Sequence, residues 1–347
     1  MKKKIIILIL LLLTIQLVYS FGKNKIQQTK LYWSKIKTLH FDIYFNRGDD
    51  EFGEILALMA EEAYYYIKKD LKTPIYNRIP VVFYKSHQEF ETTNIIFPLL
   101  DEGVGGFTEL SKNRIAVPFD GSYKKMEETF VHELTHAYIN ELDRGRNKFF
   151  SITGLPFWFS EGFPEFESVG GKDCYNNMFV IDMLMNEGLY DLDGIGGYFA
   201  YRLGESFLVY IEEVYGREYV IELFYALRIS SSVNLAMRKV FGLDFTEIQL
   251  RWKNYLKRKY YRYIEFYDVP YEVYERKTDF RKDGSYLNFA PRFSPDGQSF
   301  LYFSNKNIKT DIWKGSTFGI IPNRKIISGE SSGKFEEFHF QKNNISW

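Results

Sequence analysis

The stretch Thr129-Phe130-Val131-His132-Glu133-Leu134-Thr135-His136-Ala137-Tyr138 contains His-Glu-x-x-His. Residues four apart on an α-helix share one face, a turn from each other, so His132 and His136 can aim two imidazoles at one metal ion. Zinc suits such a pair, because it accepts neutral imidazole nitrogens and tolerates an open position for water. Glu133 is turned about 100° from His132. That is too far round to share the apex, but well placed to take a proton from a water on the metal. Val131, Leu134 and Tyr138 give an apolar stripe at helical spacing, which buries the helix and leaves His132 and His136 on another flank. The plainer alternative is a surface helix with two histidines by chance. With five histidines in 347 residues, such a match is expected in roughly one chain in 200 of this make-up, so the metal reading is preferred.

Catalytic zinc takes three protein ligands plus water. A metzincin-type continuation would need a glycine at position 139 and a histidine at 142, but Ile139 and Leu142 stand there. Downstream runs Leu155-Pro156-Phe157-Trp158-Phe159-Ser160-Glu161-Gly162-Phe163-Pro164-Glu165-Phe166. In this aromatic setting an unpaired Glu161 would be costly, and a metal would compensate it. His-Glu-x-x-His followed by Trp-x-x-Glu-Gly resembles the gluzincin metallopeptidases of the bacterial MA clan, whose second motif reads Trp-x-x-Glu-Gly-x-Ala-Glu. The resemblance implies Glu161 as third zinc ligand and Glu165 as the acid that orients a histidine ligand. The alternative for Glu165 is a solvated surface carboxylate. Pro164 replaces the usual Ala, which a first helical turn would tolerate. The implied fold is α+β and thermolysin-like, with a small N-terminal sheet, an active-site helix and a helical C-terminal half. The implied activity is hydrolysis of peptide bonds with one Zn2+ and Glu133 as general base.

Gly196-Gly197-Tyr198-Phe199-Ala200-Tyr201-Arg202-Leu203-Gly204 leads into an apolar helix. Tyr-x-x-Gly at such a helix start resembles the segment of gluzincin aminopeptidases that carries a catalytic tyrosine, a phenol donor to the tetrahedral oxyanion. Tyr201 is the best match and Tyr198 the second, against a background of 27 tyrosines in which helix starts often bury one. The Gly-x-Met-Glu-Asn mark of those aminopeptidases is absent upstream, so no requirement for a free amino terminus follows.

These groups need a scaffold. His40-Phe41-Asp42-Ile43-Tyr44-Phe45 alternates as a strand, with His40 read as structural. Apolar spacing predicts a helix over 50–70, and Ile79 to Tyr84 reads as a second strand. His87, in Lys-Ser-His-Gln, reads as a solvated loop residue. Gly103 to Phe107 lacks the Gly-Lys-Ser/Thr ending of a phosphate loop and reads as a tight connection into a strand at Arg114 to Pro118. The gluzincin resemblance implies a sheet edge along the cleft that pairs with extended peptide, and chain order makes this strand the candidate, an edge suiting Pro118. Asp143 to Lys148 is a charged loop. Helical patterns run to about 265, with Gly216 as a C-cap and a basic amphipathic stretch from Thr246 to Tyr263 read as a solvated outer face.

The composition, 45% hydrophobic and 26% charged, is that of a globular protein of about two domains. Zero formal net charge leaves no electrostatic footprint for nucleic acid. Lys2-Lys3-Lys4 before an apolar run from Ile5 to Val18 reads as a signal peptide over 1–20, cut after Ser20. The alternative is an uncleaved anchor, the one case that implies a membrane. Either way the body is expected to be exported, whether periplasmic, cell-surface or secreted. Cys174 is the sole cysteine, so no intrachain disulfide can form. The peptidase domain is expected over 21–265 and a linker over 266–286. Residues 287–347, with Phe293-Ser294-Pro295-Asp296-Gly297, resemble the start of a TolB-like β-propeller. A weaker echo begins at Phe340. One blade and a beginning cannot close a ring, so the piece is either truncated or packs another way. The rival from another class is a catalytically inactive binding module that recruits a protein partner through this segment, instead of hydrolysing a peptide substrate.

Overall fold

The computed structural model describes residue 25 and residues 30–100, 103–143, 155–186, 189–268, 270–307, 309–319, 322–329, 338 and 345–347. The expected signal peptide, residues 144–148 of the charged loop and the echo at 340–344 lie outside the described residues. The chain divides into two compact units, with the second beginning at Tyr267.

The first unit opens on a sheet of β1 (Trp33–Lys37), β2 (Phe41–Asn46), β3 (Ile79–Tyr84), β4 (Phe107–Glu109) and β5 (Arg114–Pro118), in the order β1-β2-β3-β5-β4. β2, β3 and β5 run parallel, while β1 and β4 join antiparallel at the two sides. Alternation decides what each face buries. Phe41, Ile43, Phe45, Ile79, Val81 and Phe83 enter the main core, whereas Val82, Tyr84 and Ala116 form a smaller core on the other face. α1 (Asp50–Leu71) makes the crossover that a parallel pair requires and buries Leu56, Ala60, Tyr64, Ile67 and Leu71. His40 is structural, with Nδ1 2.6 Å from Glu61 and its ring stacked on Tyr64.

Two expectations are corrected here. His87 is not a solvated loop residue. It opens the short helix α2 (His87–Glu91), which the Ser86 hydroxyl caps, with its ring edge-on to Phe90 and Nδ1 3.3 Å from Glu91. β5 is not the sheet edge, because it lies between β3 and β4, and β4 is the outer strand. Pro118 is tolerated there because the ladder with β4 covers only residues 114–116, so no β4 residue pairs with its missing N–H.

The helical half comprises α3 (Tyr123–Asp143), α4 (Phe157–Val169), α5 (Cys174–Asn186), α6 (Gly197–Tyr215), α7 (Arg217–Ile229), α8 (Val233–Phe241), α9 (Phe245–Lys259) and α10 (Tyr261–Phe266). Gly216 closes α6 with φ +109°, a conformation that favours glycine. The basic stretch from Thr246 breaks at Tyr260 into α9 and α10. Ile248, Trp252 and Leu256 face the core, while Lys253 and Lys259 pair with Asp191 and Glu213. Pro164 lies in the middle of α4 rather than in its first turn. It removes the N–H that would reach the carbonyl of Ser160, a residue only half-buried. No helix among the described residues is long and apolar enough to cross a membrane.

The second unit holds α11 (Pro270–Val273), α12 (Phe280–Asp283) and an antiparallel sheet of β6 (Asn288–Phe293), β7 (Ser299–Asn307), β8 (Lys309–Ser316) and β9 (Arg324–Ile327), in sequence order. In the Ser294-Pro-Asp-Gly turn the Ser294 hydroxyl and the Gln298 N–H both donate to Asp296, and Gly297 takes φ +68°. The chain is therefore mixed α+β, with helices and two sheets.

Candidate active site

α3 carries His132, Glu133 and His136 on a helix anchored by Phe130, Leu134, Ala137 and Tyr138, all fully buried. The anchor side and the chemical side are different faces of one helix, as the spacing predicts. α4 and α6 then bring the distant groups in. A Cβ on Gly162 would stand 2.6 Å from the backbone of Gly204, and one on Gly204 would stand 2.2 Å from the carbonyl oxygen of Trp158. The two helices thus cross backbone to backbone, which only glycine permits. Glu161 precedes one of these glycines and Tyr201 sits one turn before the other, so a single crossing sets both.

The three ligand atoms converge. The Nε2 atoms of His132 and His136 are 3.3 Å apart, and Glu161 Oε2 lies 3.8 Å from the first and 3.4 Å from the second. This group of His132, His136 and Glu161 could hold a metal ion. Glu161 Oε2 is buried and has no hydrogen-bond partner among the described residues, so a cation placed there would satisfy it.

Neighbouring groups keep the carboxylate ionised, the form in which a carboxylate binds a metal. Burial opposes ionisation of Glu161, yet His132, His136 and the Tyr201 hydroxyl outweigh it and hold its carboxyl well below the usual carboxylate range. Burial likewise opposes the charged imidazole of His132, but contacts with Glu161 and Glu165 raise it to about 10. Tyr201 stacks on His132 with ring centroids 5.8 Å apart, and burial together with the Glu161 charge pushes its phenol up. Tyr201 therefore keeps its proton and can donate it.

Glu165 is not a solvated carboxylate. One oxygen lies 3.1 Å from His132 Nδ1 and the other accepts from Arg202 at 3.0 Å. Arg202 in turn donates to Asp173 at 3.0 Å and lies over the ring of Tyr198 at 4.9 Å. Tyr198 thus supports Arg202, while Tyr201 faces the histidines. Glu133, only 7% exposed, has Oε2 2.7 Å from the hydroxyl of Thr108 on β4.

Sequence reasoning missed Arg202, Asp173 and Thr108. Arg202 could have been marked as the residue next to Tyr201. Nothing local marks Thr108 or Asp173, which meet their partners only through the fold.

No curated protein matches the chain closely enough to count as a relative. A family match over residues 59–258, more than half the chain and enclosing the whole cluster, shows that it belongs to the Peptidase MA superfamily and is of the metallopeptidase type.

Proposed function

We propose that this chain is an exported, zinc-dependent metallopeptidase of the gluzincin type, with the metal held by His132, His136 and Glu161. The observation that carries the reading is the ligand triangle. Tetrahedral ligands at about 2.0–2.1 Å from zinc stand about 3.3 Å apart, and the separations of 3.3, 3.4 and 3.8 Å are close to that. Two imidazoles and a carboxylate also form a donor set that catalytic zinc uses.

Zinc, when bound, supplies Lewis acidity towards the scissile carbonyl and the attacking water. The chain does the rest. Glu133 takes a proton from that water and delivers it to the leaving amine. Tyr201 donates a hydrogen bond to the oxygen on which charge develops. Glu165, steadied by Arg202, fixes the tautomer and ring orientation of His132. The outer strand β4, next to Glu133, offers its open side to an extended peptide backbone.

In this reading residues 1–20 direct export, residues 21–265 form the peptidase domain, and the four-stranded sheet beyond the linker is a TolB-like blade that binds a protein partner. The test is digestion of a peptide library by the zinc-loaded protein and by Glu133→Gln, read by mass spectrometry. Cleavage by the wild type alone, with zinc in both, is the expected result. Absence of cleavage by the zinc-loaded wild type favours the inactive binding module.

A further inference from the structure

We infer that Thr108 is a positioning residue, which locks the carboxylate of Glu133 by a hydrogen bond from the outer strand of the sheet. This inference rests on the peptidase reading, since it assigns a holder to the proposed general base.

The Thr108 hydroxyl lies 2.7 Å from Glu133 Oε2 and 2.8 Å from the main-chain carbonyl of the same residue. It has one proton to give, and the charged oxygen is the stronger acceptor. Oε2 is thereby engaged, and Oε1 remains for the water whose proton is to be taken. A glutamate has three side-chain torsions, so without this bond the carboxylate would sample several rotamers. The contact is built rather than incidental. A Cβ on Gly106 would meet Thr129 Cγ2 at 2.9 Å, Glu133 Cγ at 3.1 Å and the carbonyl of Ala116 at 3.2 Å, so glycine lets β4 lie this close to α3. One helical turn further on, Asn113, at φ +53° in the β4–β5 connection, donates from its side-chain amide to the carbonyl of Ala137 at 2.9 Å. The hairpin is therefore stitched to α3 at two points, and the outer strand and the base move as one piece. A peptide that pairs with β4 would meet a base already aimed.

The test compares Thr108→Val, which keeps the shape, with Thr108→Ser, which keeps the hydroxyl, in the full zinc-loaded chain. For Thr108→Val, kcat should fall about 10- to 100-fold, as expected for a displaced catalytic group, with KM within about twofold and zinc content unchanged. Thr108→Ser should recover most of kcat. A Thr108→Val kcat within about twofold of wild type would overturn the inference, as would a Thr108→Ser variant equally slow. Crystal structures of the wild type and Thr108→Val read the same point without turnover. The Glu133 carboxylate should leave its single position in the variant, and if it stays, the inference fails. A zinc-loaded wild type that cleaves nothing would instead count against the peptidase reading.

Discussion

α4 contributes to two clusters of acids, most of them half-buried and Glu167 fully so. At one, Arg217 is surrounded by Asp70, Glu167 and Glu212 at 2.6, 3.0 and 3.0 Å, with its guanidinium over the ring of Phe166. At the other, Glu161 and Glu165 meet His132 and His136. The first supplies its own permanent cation. The second has two imidazoles at its centre, with Arg202 set behind Glu165. Burying an ionised carboxylate requires a compensating charge. Where the chain fills the centre with a guanidinium, the result is a structural hub. Where the centre brings two imidazole nitrogens and a carboxylate oxygen within 3.3–3.8 Å of one another, the group could hold an external cation.

The widest separation should come from chemistry. Glu133→Gln should cut turnover by about 10³-fold or more while metal stays bound, and Arg217→Met should leave turnover per folded molecule unchanged. Peptide cleavage with metal analysis checks both. For stability the order reverses. Arg217→Met strands Glu167, which is fully buried, and should cost about 3 kcal/mol in chemical denaturation with metal stoichiometry intact. Glu161→Gln should instead abolish stoichiometric metal binding.

Tyr201→Phe should lower kcat by about 10²-fold with little change in KM, the signature of a donor used only in the transition state. The most gradual effect, spread over several pH units, concerns Glu205, another acid on the helical side. It is 1% exposed and accepts from the Gly171 N–H. Burial and the charge of Glu165 push it up to about 8 from an ordinary 4.5. Between those values the folded chain holds a proton that the unfolded chain has released, so stability falls as pH rises through this window. The slope should reach up to about 1 kcal/mol per pH unit. Thermal unfolding from pH 5 to 8 should show this decline, and Glu205→Gln should flatten it.

The parts of this arrangement legible in the sequence are those written over a few residues. His-Glu-x-x-His states its own geometry because a helix has a fixed period. Trp-x-x-Glu-Gly and Tyr-x-x-Gly were recognisable as motifs, but their glycines made sense only when Gly162 and Gly204 were seen to press backbone against backbone. What could not be read was pairing at a distance. Strand order in the sheet depends on which ladders form, so β5 read as the edge although β4 takes that place. Thr108 and Glu133 stand 25 residues apart, and no periodicity links a strand residue to a helix residue. Pro164 shows the reverse limit, since the rule that admits proline to a first turn said nothing of a mid-helix position opposite the half-buried Ser160.

The most direct test of the account is a crystal structure of the protein grown with zinc, with anomalous differences measured at the zinc edge. The account predicts one strong peak about 2.0–2.2 Å from His132 Nε2, His136 Nε2 and Glu161 Oε2 together. A protein that binds zinc with no peak among these three atoms, or with a peak that Glu161 does not touch, would contradict it.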